Sequence, residues 1–215
     1  MDTQKMELKP ENFVNRSLAI RLGRVFFRAR NFTGLPLFLF MLSFFAWEYE
    51  NDLVTWPVGC ALIGAGQALR LWAMRHIGRS ARTRKDKARR LVASGPYRYT
   101  RNPLYIGNHL MLAGYCVLSE LLWLLPFALV ICFIFYSFIA AYEEELLKER
   151  FGEDYVRYSM ETPRWLPIWP RARTHTPPPE GSSWVEALRR ERSTIYGVMI
   201  ATFLFFLKEV LSDWS

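Results

Sequence analysis

The chain has 215 residues, of which 51% are hydrophobic and 16% aromatic, and a formal net charge of +8 at pH 7. Its hydrophobic residues form long uncharged runs, which excludes an ordinary soluble domain and predicts an all-α, polytopic bundle of membrane helices. Basic loops beside anionic membrane lipids account for the charge, so no nucleic-acid partner is expected. The three cysteines lie inside apolar runs without ligand spacing, so neither a disulfide nor a metal site is expected.

The N-terminal arm, residues 1–31, is charged throughout and lacks the apolar core of a signal peptide. Between residues 12 and 30, apolar side chains are interspersed with five arginines. This pattern is typical of a cationic amphipathic helix. We expect that helix either in the lipid headgroup plane or packed on cytosolic loops.

Five apolar runs are candidate membrane spans, and the fourth, which is long and uncharged, is the strongest. The first and fifth are near the lower limit of about 17 residues for crossing a bilayer. The fifth is alternatively a peripheral hairpin arm. The runs are 31–47, 53–69 (extendable through 74), 102–119, 121–142 and 193–207.

The basic segments set the orientation of these spans. Residues 75–101 contain ten Lys or Arg and a single acid, Asp86, which predicts a cytoplasmic location. The N-terminus and residues 143–192 are then cytoplasmic too. Because the third and fourth runs are joined only around Ser119 and Glu120, we expect a tight helical hairpin whose open ends lie at the same membrane face.

The segment 94–108 reads SGPYRYTRNPLYIGN and leads directly into the third run. Ser94, Gly95 and Pro96 predict a tight turn. Asn102 followed by Pro103 is typical of a helix N-cap with proline in the first helical position. Such a start leaves backbone N–H groups open, so we expect it to hold an anion; the alternative is a well-capped helix start beside anionic lipid.

Three consecutive glutamates, Glu143, Glu144 and Glu145, follow the fourth run. Acids are badly placed here, because a helix C-terminus and an anionic lipid surface both favour cations. They are either a solvated face that pairs with Lys148 and Arg150 or part of a binding site. The hairpin would bring them beside the segment 94–108. The combined site suits a ligand with a carboxylate and cationic groups, and would include Arg98, Arg101, Tyr97, Tyr99, Tyr105, Tyr142, Glu143 and Glu144.

Further along the chain, Gly152 predicts a helix break, and Arg164, Trp165 and Trp169 lie in a proline-punctuated interfacial loop. The predicted organisation is the arm at 1–31, a core at 32–170, a Pro-rich linker with a short amphipathic segment at 171–192 and a C-terminal transmembrane helix at 193–215. His109 is titratable and lies within the third run, where an inert and a functional role are both open.

Three ordered blocks, GPYRYTRNPLYIGN, YEEELLKERFGEDYVRY and PRWLP, resemble integral-membrane methyltransferases, which include isoprenylcysteine carboxyl methyltransferases and phospholipid N-methyltransferases. The resemblance covers about residues 79–167. It implies S-adenosylmethionine in a cytosol-facing pocket and a lipidic substrate from the bilayer. It also implies a cofactor-binding set of Tyr97, Asn102, Pro103, Tyr105, Gly107, Glu143 and Glu144, and a catalytic set of Arg101, Glu144 and Arg164.

The implied reaction is methyl transfer to a membrane-embedded acceptor, either a prenylcysteine-type carboxylate or a phospholipid amine. A carboxylate needs no general base, whereas an amine needs Glu143 or Glu144 to take a proton. Asn102 stands where the prenylcysteine enzymes have His, and is closer to phospholipid methyltransferases and bacterial relatives, which implies a bacterial inner membrane. The alternatives are an NADPH-dependent sterol-type reductase and a non-enzymatic scaffold that binds anionic lipid. The oligomeric state is left open.

Overall fold

The computed structural model describes residues 18–30, 34–45, 51–77, 90–168 and 183–212. These ranges form helices and turns without a β-strand, which confirms the all-α class. The α-helices are α1 (Leu18–Ala29), α2 (Leu35–Ser43), α3 (Asp52–Ile77), α4 (Pro103–Leu118), α5 (Leu125–Phe151), α6 (Glu153–Glu161) and α7 (Trp184–Ser212). Two 3-10 turns, Gly95–Arg98 and Leu122–Leu124, precede α4 and α5.

Two segments of the described chain are long and apolar enough to cross a membrane, namely Leu122–Phe151 and Trp184–Leu211. Helix α2 has nine residues. At 1.5 Å per residue it covers about 14 Å, less than half of a hydrocarbon core of about 30 Å. Helix α3 has 26 residues but carries Arg70 and Arg75. The structure therefore supports two of the five predicted spans by length and composition.

Helices α3 and α4 pack backbone to backbone at two pairs of glycines. A Cβ atom at Gly66 would lie 2.5 Å from the carbonyl oxygen of Gly107, and one at Gly114 would lie 2.7 Å from that of Gly59. The glycines are seven residues apart in each helix, which keeps both on one face. Their lack of a side chain thus permits the close approach of the two helices.

The arm and the C-terminal helix both attach to this core. In α1, the ring of Phe26 packs on that of Phe135 in α5, with centroids 4.9 Å apart. In α7, the buried carboxylate of Glu191 accepts hydrogen bonds from Arg70 of α3, from Nε at 3.1 Å and from Nη2 at 2.7 Å. A buried ion pair therefore fixes α7 against α3.

Helices α4 and α5 form the predicted hairpin. Its turn includes Glu120, which adopts a positive φ of 60° and accepts a hydrogen bond from Thr55 Oγ1 at 3.0 Å. The carboxylates of Asp52, Glu120 and Glu209 lie within 4.8 Å of one another at this closed end. At the open end the hydroxyl of Tyr105 donates to Glu143, so the start of α4 and the end of α5 do meet.

Candidate functional site

The first wall of the site is the turn before α4. Its 3-10 conformation at Gly95–Arg98 confirms the predicted tight turn. His76 Nδ1 of α3 lies 2.9 Å from Ser94 Oγ. Gly95 has φ +60°, and a Cβ there would clash with the His76 ring. The sequence Ser-Gly thus lets the turn dock closely on the end of α3.

Hydrogen bonds join this turn to the segment after α6. The side chains of Thr100 and Asn102 both donate to the carbonyl of Arg164, from Oγ1 at 3.1 Å and from Nδ2 at 3.0 Å. The remaining bonds are Arg101 N to Pro163 O at 2.9 Å, Ile168 N to Tyr99 O at 3.1 Å and Tyr158 Oη to Tyr97 O at 2.8 Å. The two segments therefore form one rigid wall.

Asn102 lies at the N-cap position of α4 with Pro103 next, as predicted, but its side chain does not cap the helix. The amide donates to the Arg164 carbonyl instead. The backbone carbonyl of Asn102 accepts from the amides of Tyr105 and Ile106. The bond from Ile106 is the first regular bond of α4, whereas the prediction of open amides at this helix start is wrong for Tyr105. The Asn102 side chain leaves the cap because the segment after α6, which packs against it, supplies a carbonyl that needs a donor.

Two arginines hold the carboxylate of Glu144, whose side chain is 14% exposed. Arg164 makes a two-point contact, from Nε at 2.9 Å and Nη2 at 2.5 Å, and Arg101 Nη1 lies 3.4 Å from Oε1. The bond to Glu144 raises the pKa of Arg164. The solvated-face interpretation is therefore wrong for Glu144, whose carboxylate contacts arginines from other segments instead of facing solvent.

Arg101 has a further open donor. Its Nε is buried and has no hydrogen-bond partner among the described residues. Its Nη1 lies 3.5 Å from the hydroxyl of Tyr155. Burial raises the pKa of Tyr155 to about 12, so this hydroxyl stays protonated at neutral pH. A buried guanidinium N–H without a partner is well suited to an anionic group.

Glu143 begins a second set of contacts. Its Oε2 accepts from Tyr105 at 2.7 Å, and its Oε1 lies 3.8 Å from Arg30, which follows α1. The Tyr105 ring stacks on Tyr136 at 4.5 Å. The Tyr136 hydroxyl accepts from Asn108 Nδ2 at 2.7 Å.

This set continues to α3, because Asn108 Oδ1 accepts from Arg70 Nη1 at 2.6 Å. Sequence reasoning missed Arg30, Arg70, Asn108 and Tyr136. For Arg70 a signal was present, since a charge inside an apolar run ordinarily faces the protein interior and has a partner. Its partners come from distant positions and could not be read from the sequence.

The structure brings most predicted site residues to one end of the bundle: Arg101, Asn102, Tyr105, Glu143, Glu144 and Arg164 are linked by the contacts above. Burial raises the pKa of Tyr97 well above its usual value, so the hydroxyl is protonated. Pro103 is buried at the start of α4. Gly107 instead faces α3, where a Cβ would lie 2.7 Å from Arg70 Cγ, so helix packing accounts for the glycine.

Comparison with known proteins gives a consistent family. Residues 54–154 match the family model described as phospholipid methyltransferase. The chain is 31% identical over 157 residues to the protein-S-isoprenylcysteine O-methyltransferase of Saccharomyces cerevisiae, covering 67% of this chain and 64% of that protein. It is 32% identical over 136 residues to protein-S-isoprenylcysteine O-methyltransferase B of Arabidopsis thaliana, covering 56% of this chain and 68% of that protein.

The corresponding protein of Schizosaccharomyces pombe is 29% identical over 153 residues, covering 69% of this chain and 61% of the relative. The chain thus spans a little under two thirds of the two yeast relatives it matches. No solved structure matches the chain. The family model and these relatives confirm the resemblance, and the chain belongs to the family of membrane methyltransferases that includes the protein-S-isoprenylcysteine O-methyltransferases and the phospholipid methyltransferases.

Proposed function

We propose that the chain transfers a methyl group from S-adenosylmethionine to the carboxylate of an S-prenylcysteine-type lipid. The observation that carries this proposal is the cluster in which Arg101 and Arg164 share the carboxylate of Glu144. The named relatives act as O-methyltransferases on protein S-isoprenylcysteine, which supports the same acceptor class here.

The residues present fit the cofactor. The buried, unpaired Nε of Arg101 suits its carboxylate, and Glu143, whose side chain is 33% exposed, suits its ammonium. The stacked rings of Tyr105 and Tyr136 offer a face to a sulfonium, a contact worth about 0.5–2 kcal/mol. When bound, S-adenosylmethionine supplies an electrophilic methyl carbon.

The chain's own task is then to hold the acceptor oxygen in line with that carbon, and positioning of this kind can supply roughly 7–11 kcal/mol of the barrier. A carboxylate is anionic at neutral pH and needs no base, so arginine donors suffice to orient it. Because its oxygens already accept hydrogen bonds from Arg164, Glu144 is better suited to fixing the arginines than to taking a proton.

Phospholipid amine methylation is the second candidate, favoured by the family model that matches residues 54–154. It requires a proton acceptor beside the amine. Glu143 is the available carboxylate, since it contacts Tyr105 and Arg30 through one oxygen each. The two candidates thus assign the two glutamates different tasks.

Methyl-labelled S-adenosylmethionine and the purified protein in detergent distinguish the candidates. The acceptors are N-acetyl-S-farnesylcysteine and phosphatidylethanolamine, tested separately. The proposal predicts a base-labile methyl ester from the first, abolished by Arg101→Met and retained by Glu145→Gln. A base-stable N-methyl product from phosphatidylethanolamine alone would favour the second candidate. Binding of NADPH without S-adenosylhomocysteine would favour a reductase, and binding of neither would favour a lipid-binding scaffold.

A further inference from the structure

His109 lies one helical turn beyond Tyr105 on α4, farther from the open end of the hairpin. Its Nδ1 is 2.7 Å from the carbonyl oxygen of Tyr105. A carbonyl oxygen only accepts hydrogen bonds, so Nδ1 carries the proton and donates it. In the neutral ring, Nε2 is then a hydrogen-bond acceptor.

That Nε2 atom is buried and has no hydrogen-bond partner among the described residues. The ring is surrounded by aromatic groups, with centroids 5.6 Å away at Tyr136, 6.0 Å at Trp165 and 6.5 Å at Phe133. The Tyr136 hydroxyl accepts a hydrogen bond from Asn108 and makes none to Nε2. A buried acceptor without a partner costs free energy, so a donor from a bound molecule would be stabilising.

We call the site formed by the side chains of His109, Phe133, Tyr136 and Trp165 the aromatic slot. On one side it adjoins the candidate site, because Tyr136 stacks on Tyr105 and Trp165 directly follows Arg164 in the chain. On the other side it reaches the outer surface of α5. Phe133, which packs on Trp165 at 5.2 Å, is 46% exposed.

This surface of α5 is apolar, since Ile134 is 50% exposed and Ile131 is 65% exposed within a segment long enough to span a membrane. An apolar chain that lies against α5 can therefore place its polar end at the contact between Phe133 and Trp165, where the half-exposed Phe133 side chain has to turn aside to admit it. The slot thus has an apolar outer rim and a single unpaired acceptor inside, next to the arginine cluster.

We propose that the aromatic slot binds the acceptor lipid and that His109 Nε2 accepts a hydrogen bond from an N–H group of that lipid. The inference rests on the proposed function and names a specificity residue for it. In an N-acylated S-prenylcysteine the amide N–H and the carboxylate are borne by the same carbon. The arginine cluster then orients the carboxylate while His109 fixes the neighbouring nitrogen, and the prenyl chain extends past Phe133.

The test measures the affinity of two probes for the detergent-solubilised protein saturated with S-adenosylhomocysteine. One probe is N-acetyl-S-farnesylcysteine; the other is the same molecule with the amide hydrogen replaced by methyl. The wild-type chain should bind the N–H probe about tenfold more tightly, the range expected for one buried hydrogen bond. Equal affinities for the two probes, or no binding of either, would overturn the proposal.

Three variants assign the preference to Nε2. His109→Gln keeps an acceptor near the Nε2 position and should retain most of the preference. His109→Asn and His109→Phe remove that acceptor and should bind both probes alike, whereas Met199→Ala, at an exposed position of α7, should behave as wild type. A preference that persists in His109→Phe would overturn the assignment. The wild-type comparison stands even if that variant does not fold.

Methyl transfer is measured separately. A chain that prefers the N–H probe but transfers no methyl group would contradict the proposed function and leave the slot standing. A chain that binds and methylates both probes equally would leave the function standing and contradict the role of His109.

Discussion

The guanidinium of Arg164 meets the carboxylate of Glu144 edge to edge, with Nε 2.9 Å from Oε1 and Nη2 2.5 Å from Oε2. The two residues lie on opposite sides of the break at Gly152, where φ is +52°. The contact therefore holds the segment after α6 against α5 and fixes the orientation of both the guanidinium and the carboxylate. Lysine cannot reproduce such a planar two-point contact.

We expect Arg164→Lys and Glu144→Gln each to weaken S-adenosylhomocysteine binding and to lower the melting temperature. Charge-assisted hydrogen bonds are worth about 1.5–3 kcal/mol, and the lower end applies because the Arg164 side chain is 39% exposed. Thermal unfolding and calorimetric titration in detergent check both effects. Glu145→Gln is the control. If Arg164→Lys, Glu144→Gln and Glu145→Gln all had the same negligible effect on binding and melting temperature, Glu144 would not be part of the site.

Asn102 and Thr100 should act together, because both side chains donate to the carbonyl of Arg164. Asn102→Ala removes one neutral hydrogen bond and should cost about 0.5–1.5 kcal/mol of unfolding free energy. Asn102→Asp should cost more, since a carboxylate cannot donate to that carbonyl. A double-mutant cycle with Thr100→Val should show coupling. Stability of Asn102→Asp equal to wild type would contradict the observed bond.

The glycine contact between α3 and α4 predicts a sharp difference between two glycines of the same helix. Gly66→Ala places a Cβ 2.5 Å from a backbone oxygen and should destabilise the protein by about 1–3 kcal/mol. Gly64→Ala meets nothing within 4 Å and should be neutral or slightly stabilising. The melting temperatures of the two variants in detergent decide the matter. Equal values would mean that the helices do not approach at Gly66.

The pair Arg70 and Glu191 predicts how α7 is held. Glu191→Ala leaves the Arg70 guanidinium buried, so a cost of about 3–5 kcal/mol is expected. The double variant Arg70→Met with Glu191→Leu should cost less than the sum of the two single changes. Arg190→Ala, which breaks a partly exposed pair with Glu186 on the same helix, should cost about 0.3–0.5 kcal/mol. A similar cost for Glu191→Ala would show that α7 is not fixed by this pair.

Topology gives a further prediction, namely an N-terminus inside and a candidate site at the cytoplasmic face. The turn at residues 95–98 contacts α6, and residues 99–102 contact the segment after α6, so the flanking regions should lie on one side of the membrane. Cysteines placed at Lys85, which lies outside the described residues, and at Glu153 should be labelled from the same face of sealed vesicles. Labelling from opposite faces would refute this topology.

The bacterial inner membrane stays a prediction, since the relatives named above are eukaryotic.

Local signals predicted much of this architecture. The uncharged run of α5, the short Ser119–Glu120 connection and the Gly-Pro turn at residue 95 are short-range features, and the structure contains all three. The hairpin then sufficed to bring Tyr105 and Glu143 to the same place. The position of Glu143 and Glu144 near the turn at residue 95 follows from the short connection between α4 and α5 alone.

Long-range partners could not be predicted. The side-chain amide of Asn102 donates to the Arg164 carbonyl instead of capping α4, and Arg70 donates to a carboxylate 121 residues later in the chain. The length of α2 was also missed, because hydropathy does not report where a helix stops. In each case, packing between distant segments determines which hydrogen-bond partner is used or where the helix ends, and the local sequence alone allows more than one outcome.

The distance along the chain between Arg70 and Glu191 has a consequence for biosynthesis. Translation delivers α3 with its arginine long before the compensating carboxylate of α7 has been made, and the hairpin with Glu144 before Arg164. The nascent protein must therefore keep these charges hydrated or shielded by the insertion machinery. Completion of the site becomes a late event, after the last helix has reached the membrane, and premature termination within residues 165–190 would leave an inserted hairpin with an uncompensated arginine in α3.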